Sequence, residues 1–155
     1  MVIIMNYGAI LKEIRTYDLI TQEKIANILG ISKKTYGLYE TQYKTIPLKH
    51  LNNFCNYFNI SFDYFFKFTN QTNYKHMKKD IDYNNIGIKL KAIRKEKGLT
   101  QEEFIKKLNC KRSTLSKYEN NKNSITVDFI FYLCKKYNIS ADYLLGKTDS
   151  PKYLK

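Results

Sequence analysis

The chain has 155 residues, room for one medium domain or two small ones, and 43% of them are apolar, too many for a disordered segment. Its apolar runs, Met1 to Met5 among them, fall far short of the ~20 residues of a spanning helix. No secretory signal is recognisable, so a soluble cytoplasmic protein with no membrane partner is expected. Lysine and arginine number 27 against 14 acidic residues, a net charge of +13, with ten against five up to residue 78 and seventeen against nine beyond it. Such a balance favours a polyanionic partner, nucleic acid ahead of an anionic membrane face. The bland alternative is a coding bias toward AT-rich codons, because lysine outnumbers arginine 24 to 3.

Cys55, Cys110 and Cys134 have no close spacing, and His50 and His76 fall in no ligand pattern, so structural thiols and no metal or cofactor are expected. The chain also lacks a glycine-rich phosphate loop, a G-x-S-x-G elbow and an H-E-x-x-H pair, which argues against an enzyme.

An offset of 79 residues lays positions 6–70 over 85–149 without a gap, with 21 of 65 positions identical. The expected organisation is a first domain over 1–70, a polar basic linker over 71–84, a second domain over 85–150 and a tail over 151–155. The linker, with Lys75, His76, Lys78 and Lys79, shows no apolar periodicity.

Each repeat predicts five short helices. The first carries Tyr7, Leu11 and Ile14 on one face, or Ile86, Leu90 and Ile93 in the second copy. The second helix starts at the N-caps Thr21 and Thr100; Thr100 with Glu103 completes a capping box, whereas Lys24 stands in the first copy. Its buried faces are Ile25 with Leu29, and Phe104 with Leu108. Gly30 and Asn109 follow, the residue types that best tolerate a left-handed backbone, so a tight turn is expected at each. Helix three, capped by Ser32 in the first copy, should turn Tyr36 and Tyr39, or Leu115 and Tyr118, inward. Helix four begins near Pro47 or after Thr126, and places Cys55 and Cys134 at one equivalent core position. Ser61 and Ser140 cap helix five, with Asp63 and Asp142 in its first turn.

Two short helices joined at Gly or Asn and preceded by Thr-Gln-Glu make a helix-turn-helix pattern. The second copy carries Leu90-Lys91-Ala92-Ile93-Arg94, Gly98-Leu99-Thr100-Gln101-Glu102, Ser113-Thr114-Leu115-Ser116-Lys117-Tyr118-Glu119-Asn120 and Asn138-Ile139-Ser140-Ala141-Asp142-Tyr143-Leu144-Leu145-Gly146. This ordered set resembles the Cro-repressor-like helix-turn-helix domains, also called XRE-family or lambda-repressor-like. The resemblance covers about 130 residues. It implies an all-α fold of two tandem five-helix domains in a bacterial or phage regulator that binds double-stranded DNA.

The resemblance further implies that Arg112, Ser113 and Lys117 meet base edges in the major groove, with Gln101 meeting backbone and base. The matching residues of the first copy are Lys33, Lys34, Leu38 and Gln22. Leu38 is no hydrogen-bonding reader, and Gly37 beside it weakens a helix, so the first copy departs from the pattern where specificity should lie. Phosphate contacts are expected from Thr21, Thr100, Tyr43, Lys44, Asn120 and Lys122. Arg15 with Glu40, and Arg94 with Glu119, match a salt bridge that orients the reading helix in some family members. The rings Tyr57, Phe58, Phe62, Tyr64, Phe65, Phe66 and Phe68 crowd the end of the first copy. They suggest an interface through helix five, either a homodimer or an intramolecular pseudo-dimer. A protein partner is the alternative, with one repeat, the first by preference, serving as an interaction module as in an antitoxin or co-regulator.

Overall fold

Six of the ten helices begin on a serine or threonine whose hydroxyl accepts a hydrogen bond from the backbone three residues on. This is the side-chain solution to the unpaired amides of a helix start. The computed structural model describes residues 5–155, which form ten helices and, apart from one isolated bridge between Ile139 and Tyr153, no extended pairing. The apolar run ahead of Met5 lies outside the described residues. The chain divides into two compact units, Met1–Asn59 and Ile60–Lys155. Among the described residues no helix is long and apolar enough to cross a membrane.

The first unit holds α1 (Tyr7–Tyr17), α2 (Gln22–Leu29), α3 (Lys33–Glu40) and α4 (Leu48–Tyr57). Leu11, Ile25, Tyr36, Leu51, Phe54 and Cys55 form its dry centre, each within 1% of full burial. Gly30 takes the left-handed conformation (φ 68°) that ends α2 and lets α3 leave at once, where Ser32 caps it. Pro47 stands just before α4, as expected.

The second unit holds α5 (Phe62–Phe65), α6 (Tyr83–Glu96), α7 (Gln101–Phe104), α8 (Arg112–Glu119), α9 (Val127–Tyr137) and α10 (Ala141–Leu144). Leu90, Phe104, Leu115, Ile130, Leu133 and Cys134 are fully buried. The segment from 66 to 82 has no helix but has anchors. Tyr74 and Ile81 are buried, the Lys78 amide donates to the Lys147 carbonyl (2.7 Å), and the Asp82 amide donates to that of Leu145 (2.9 Å). Two isolated anchors are too few to mark a period of any kind, which is why the sequence shows none here. The end of the chain folds back as well: the Ser140 amide donates to the Lys152 carbonyl and Lys152 pairs with Glu96.

One helix is shorter than expected. α7 ends at Phe104, so Leu108 lies beyond it and is half-buried, while Ile105 is buried instead. The left-handed residue is Lys107 (φ 65°), not Asn109. Its neighbour α9 supplies the reason. The Tyr137 hydroxyl donates to the Phe104 carbonyl (2.7 Å) and the Lys136 ammonium to that of Lys106 (2.5 Å). Carbonyls captured by side chains no longer need the amides of a continuing helix.

Candidate nucleic-acid interface

Each unit contains one short helix whose first turns are polar and exposed, braced from behind by a buried ion pair. In the second unit this is α8. Leu115, Tyr118 and Glu119 face inward, which leaves Arg112, Ser113 and Lys117 exposed on the other side. Arg94 of α6 meets Glu119 in a fork, Nε to Oε1 at 2.6 Å and Nη2 to Oε2 at 3.3 Å, and its Nη1 donates to the Leu99 carbonyl at 3.0 Å. The side chains keep only 12% and 3% exposure. Glu119 Oε2 also accepts from Gln101 Nε2 (2.9 Å), and Gln101 Oε1 accepts from Arg112 Nε (3.4 Å). A continuous chain of bonds thus runs from α6 through α8 and α7 to an exposed guanidinium. It also fixes the Gln101 amide: the NH₂ end is spent on Glu119, and the carbonyl oxygen faces Arg112.

The first unit repeats the brace. Arg15 meets Glu40 at 2.6 and 3.1 Å, its Nη1 donates to the Ile20 carbonyl (2.7 Å), and Gln22 Nε2 donates to Glu40 Oε2 (2.8 Å). Burial pushes the Glu40 carboxyl up, but the bonds from Arg15 and Gln22 outweigh it and hold it below its ordinary value. Lys33 and Lys34 are exposed on the first turn of α3, while Leu38 is half-buried. A Cβ on Gly37 would meet nothing closer than Gln22 Oε1 at 3.8 Å, so no packing constraint demands glycine there.

The expected phosphate contacts fall into different settings. The Thr21 hydroxyl caps the Lys24 amide, and Tyr43 (84% exposed) and Lys44 stand in the open loop after α3. Thr100 is engaged at both ends. Its hydroxyl accepts from the Glu103 amide, and its own amide donates to the Glu103 carboxylate at 2.7 Å. That bond holds Glu103 below its ordinary value and keeps a negative charge at the start of α7. Lys122 is exposed, and Asn120 Nδ2 donates back to the Ser116 carbonyl.

Three positioning residues were not singled out in the sequence. A Cβ on Gly8 would lie 2.0 Å from the Glu40 carbonyl oxygen, and one on Gly87 2.5 Å from those of Tyr118 and Glu119. The first helix of each repeat therefore touches the backbone at the end of the reading helix, and only glycine permits it. The signal was available, since these glycines coincide at the offset of 79. Asn121 ties the same junction: it accepts from the Gly87 amide (3.1 Å) and donates to the Asn84 carbonyl (2.7 Å). Gln42 stands at its place in the first copy, so the repeat does not reveal it. Among the described residues no group of three or more histidines, cysteines or acids is placed to hold a metal ion.

A helix-turn-helix family model matches residues 11–65 and again 90–144, well over half of the chain. The chain belongs to the helix-turn-helix family, of the XRE type. Several relatives match over about one repeat's length. They include the transcriptional regulator ImmR of Bacillus subtilis (40% identical, 44% of this chain and 54% of that protein). The antitoxin PezA of Streptococcus pneumoniae is 37% identical over 40% of this chain and 39% of its own length. The antitoxin HipB of Escherichia coli is 32% identical over 41% of this chain and 72% of its own. The chain thus spans about half or less of the first two. No solved structure matches it.

Proposed function

We propose that the chain is a sequence-specific, double-stranded DNA-binding transcriptional regulator whose two helix-turn-helix units engage adjacent half-sites. One observation carries this reading: Arg112, Ser113 and Lys117 stand exposed on one short helix, and that helix is held by the Arg94–Glu119–Gln101 chain. Arg112 donates its Nε proton to Gln101, and in this reading its two terminal nitrogens serve a guanine edge, with Lys117 as a second donor. In the first unit Lys33 and Lys34 play the same part with less geometric definition, because an ammonium is a point charge and a guanidinium a fork. Since the two helices differ, the preferred site is not a palindrome. Thr21, Tyr43, Lys44, Asn120 and Lys122 serve the phosphates, Thr21 more readily than Thr100 because Glu103 places an acid beside the latter. The last helices, α5 and α10, support an intramolecular pairing of the repeats in place of a two-chain dimer. A DNA partner places the protein in the cytoplasm.

A selection of bound duplexes from a random pool tests the reading. It should return one asymmetric motif, with affinity falling steeply as salt rises. Arg112→Ala should cost ~1–3 kcal/mol at the matched site and relax the preference at a single base position. An unchanged base preference in that variant would remove Arg112 from the interface.

A second reading has one observation in its favour. In the first unit Tyr17, the last residue of α1, and Leu19, just beyond it, are 87% and 91% exposed, and α3 carries Gly37 and Leu38 in place of Ser116 and Lys117. The first unit would then bind a protein partner while the second holds DNA. Loss of all DNA binding on Arg112→Ala, with none on Lys33→Ala and Lys34→Ala together, would favour it.

A further inference from the structure

The end of α7 differs from its counterpart in the first repeat, and the difference can be followed atom by atom. α2 runs on to Leu29, which is buried, whereas α7 stops at Phe104 and leaves Leu108, at the same place in the repeat, half-buried. Local sequence does not account for the stop: Thr100 and Glu103 form a full capping box, and residues 105–108 contain neither glycine nor proline. A continuing α-helix would send the Leu108 amide to the Phe104 carbonyl and the Cys110 amide to that of Lys106. Those amides turn instead to the carbonyls of Ile105 and Leu108 (2.8 Å each), while the carbonyls of Phe104 and Lys106 receive Tyr137 and Lys136 of α9 (2.7 and 2.5 Å). Tyr137 also stacks on Phe104, ring centroids 5.0 Å apart, which fixes its hydroxyl. In the first repeat Phe58 and Tyr57 stand at the places of Tyr137 and Lys136, so the hydroxyl and the ammonium that capture these carbonyls have no counterpart there.

The stop produces a basic loop. Residues 105–111 carry Lys106, Lys107 and Lys111, all exposed, and no acid, whereas the matching residues 26–32 carry no charge at all. Lys107 takes the left-handed backbone (φ 65°), which disfavours a side chain, so the loop is held open against local preference. The Lys136 ammonium is pushed down by burial and by the neighbouring Lys107 and Lys106 charges, so three cations share one small region. The nearest acid in sequence, Glu103, is engaged with the Thr100 amide at the other end of α7. The loop leads directly into Arg112, the first residue of α8.

We propose that Tyr137 and Lys136 are a latch that turns the end of α7 into a phosphate-holding loop, on which Lys106, Lys107 and Lys111 grip the DNA backbone beside the reading helix of the second unit. This rests on the DNA-binding reading above and adds to it a set of contacts that the first unit lacks. Flexible ammonium groups suit phosphates, which fix position, more than base edges, which need a defined fork. The second unit therefore supplies the larger share of the salt-dependent affinity, and Arg112 enters the groove from an anchored loop.

Two experiments on the full chain test the latch and the grip in turn. Lys136→Tyr with Tyr137→Phe installs the first repeat's residues. The Cα chemical shifts of residues 105–108 should then move to helical values, and that of Lys107 should leave the left-handed range. Unchanged shifts overturn the latch. For the grip, binding to a duplex of random sequence is measured across salt concentrations. Each phosphate contact contributes about 0.9 to the slope of log affinity against log salt. Lys106→Gln with Lys107→Gln should lower that slope by about 1–2. Lys75→Gln with Lys155→Gln removes as much charge at exposed lysines outside both matched repeats, and should lower it by less than about half as much. Equal falls in the two double variants, or none in either, overturn the grip. A wild type that binds no duplex even at low salt sinks the DNA-binding reading together with the grip, which tells the two failures apart.

Discussion

Replacing Glu119 by glutamine is the most direct probe of how the reading helix is held. The substitution removes a charge and a bond acceptor at almost constant volume. Glu119 currently satisfies two donors of Arg94 and one of Gln101 with two oxygens, at 2.6, 3.3 and 2.9 Å. A glutamine keeps one acceptor and points an NH₂ group at one of those donors, leaving the guanidinium with the Leu99 carbonyl as its other firm partner. Breaking a buried pair by deleting one partner costs ~3–5 kcal/mol. Arg94 keeps 12% exposure, so the low end applies and a loss of about 3 kcal/mol is expected. Urea unfolding followed by far-ultraviolet circular dichroism measures it, and a cycle with Arg94→Met isolates the pairwise part. The double replacement Arg94→Met, Glu119→Leu should recover most of the loss, because it leaves no buried charge behind. A loss below ~1 kcal/mol for Glu119→Gln would mean that the pair behaves as an exposed one and does not brace α8.

Two further substitutions examine features shared by the repeats. Gly87→Ala places a methyl 2.5 Å from two carbonyl oxygens of α8 and should cost ~1–3 kcal/mol by calorimetry, whereas the same change at the open, right-handed Gly37 should be neutral or stabilising. Leu19 has φ 57° and is 91% exposed, where the second copy has Gly98 at φ 68°. Leu19→Gly relieves a left-handed side chain that costs ~1–2 kcal/mol, offset by ~0.5–1 kcal/mol of glycine entropy, so a small rise in unfolding free energy is expected. A fall would show that Leu19 makes contacts worth more than its strain.

Much of this architecture is legible in the sequence because it is written twice. Thr21 and Thr100, Ser61 and Ser140, Cys55 and Cys134 take the places that local rules assign, since capping and core burial depend on near neighbours and on period. The early end of α7 is not legible, because it depends on Tyr137 and Lys136, more than thirty residues away. Asp63 and Asp142 show a related failure. Local rules place an acid in the first turn of a helix for its dipole, and such an acid is normally exposed. Their burial against each other arises only when both helix starts meet. Gly8 and Gly87 could have been found, had the coincidence of two glycines been read as a close approach of backbones.

The two helix starts that meet through Asp63 and Asp142 belong to one polypeptide, and this changes how their union responds to concentration. Subunits that associate from separate chains come apart on dilution, because partner encounter is second order. A tether makes the local supply of partner constant, so occupancy of the joined form is the same at a few copies per cell as at many. It also frees each half to drift by itself: Phe62 stands beside Asp63 where Ala141 stands beside Asp142, a difference that a pair of identical chains has no means to acquire.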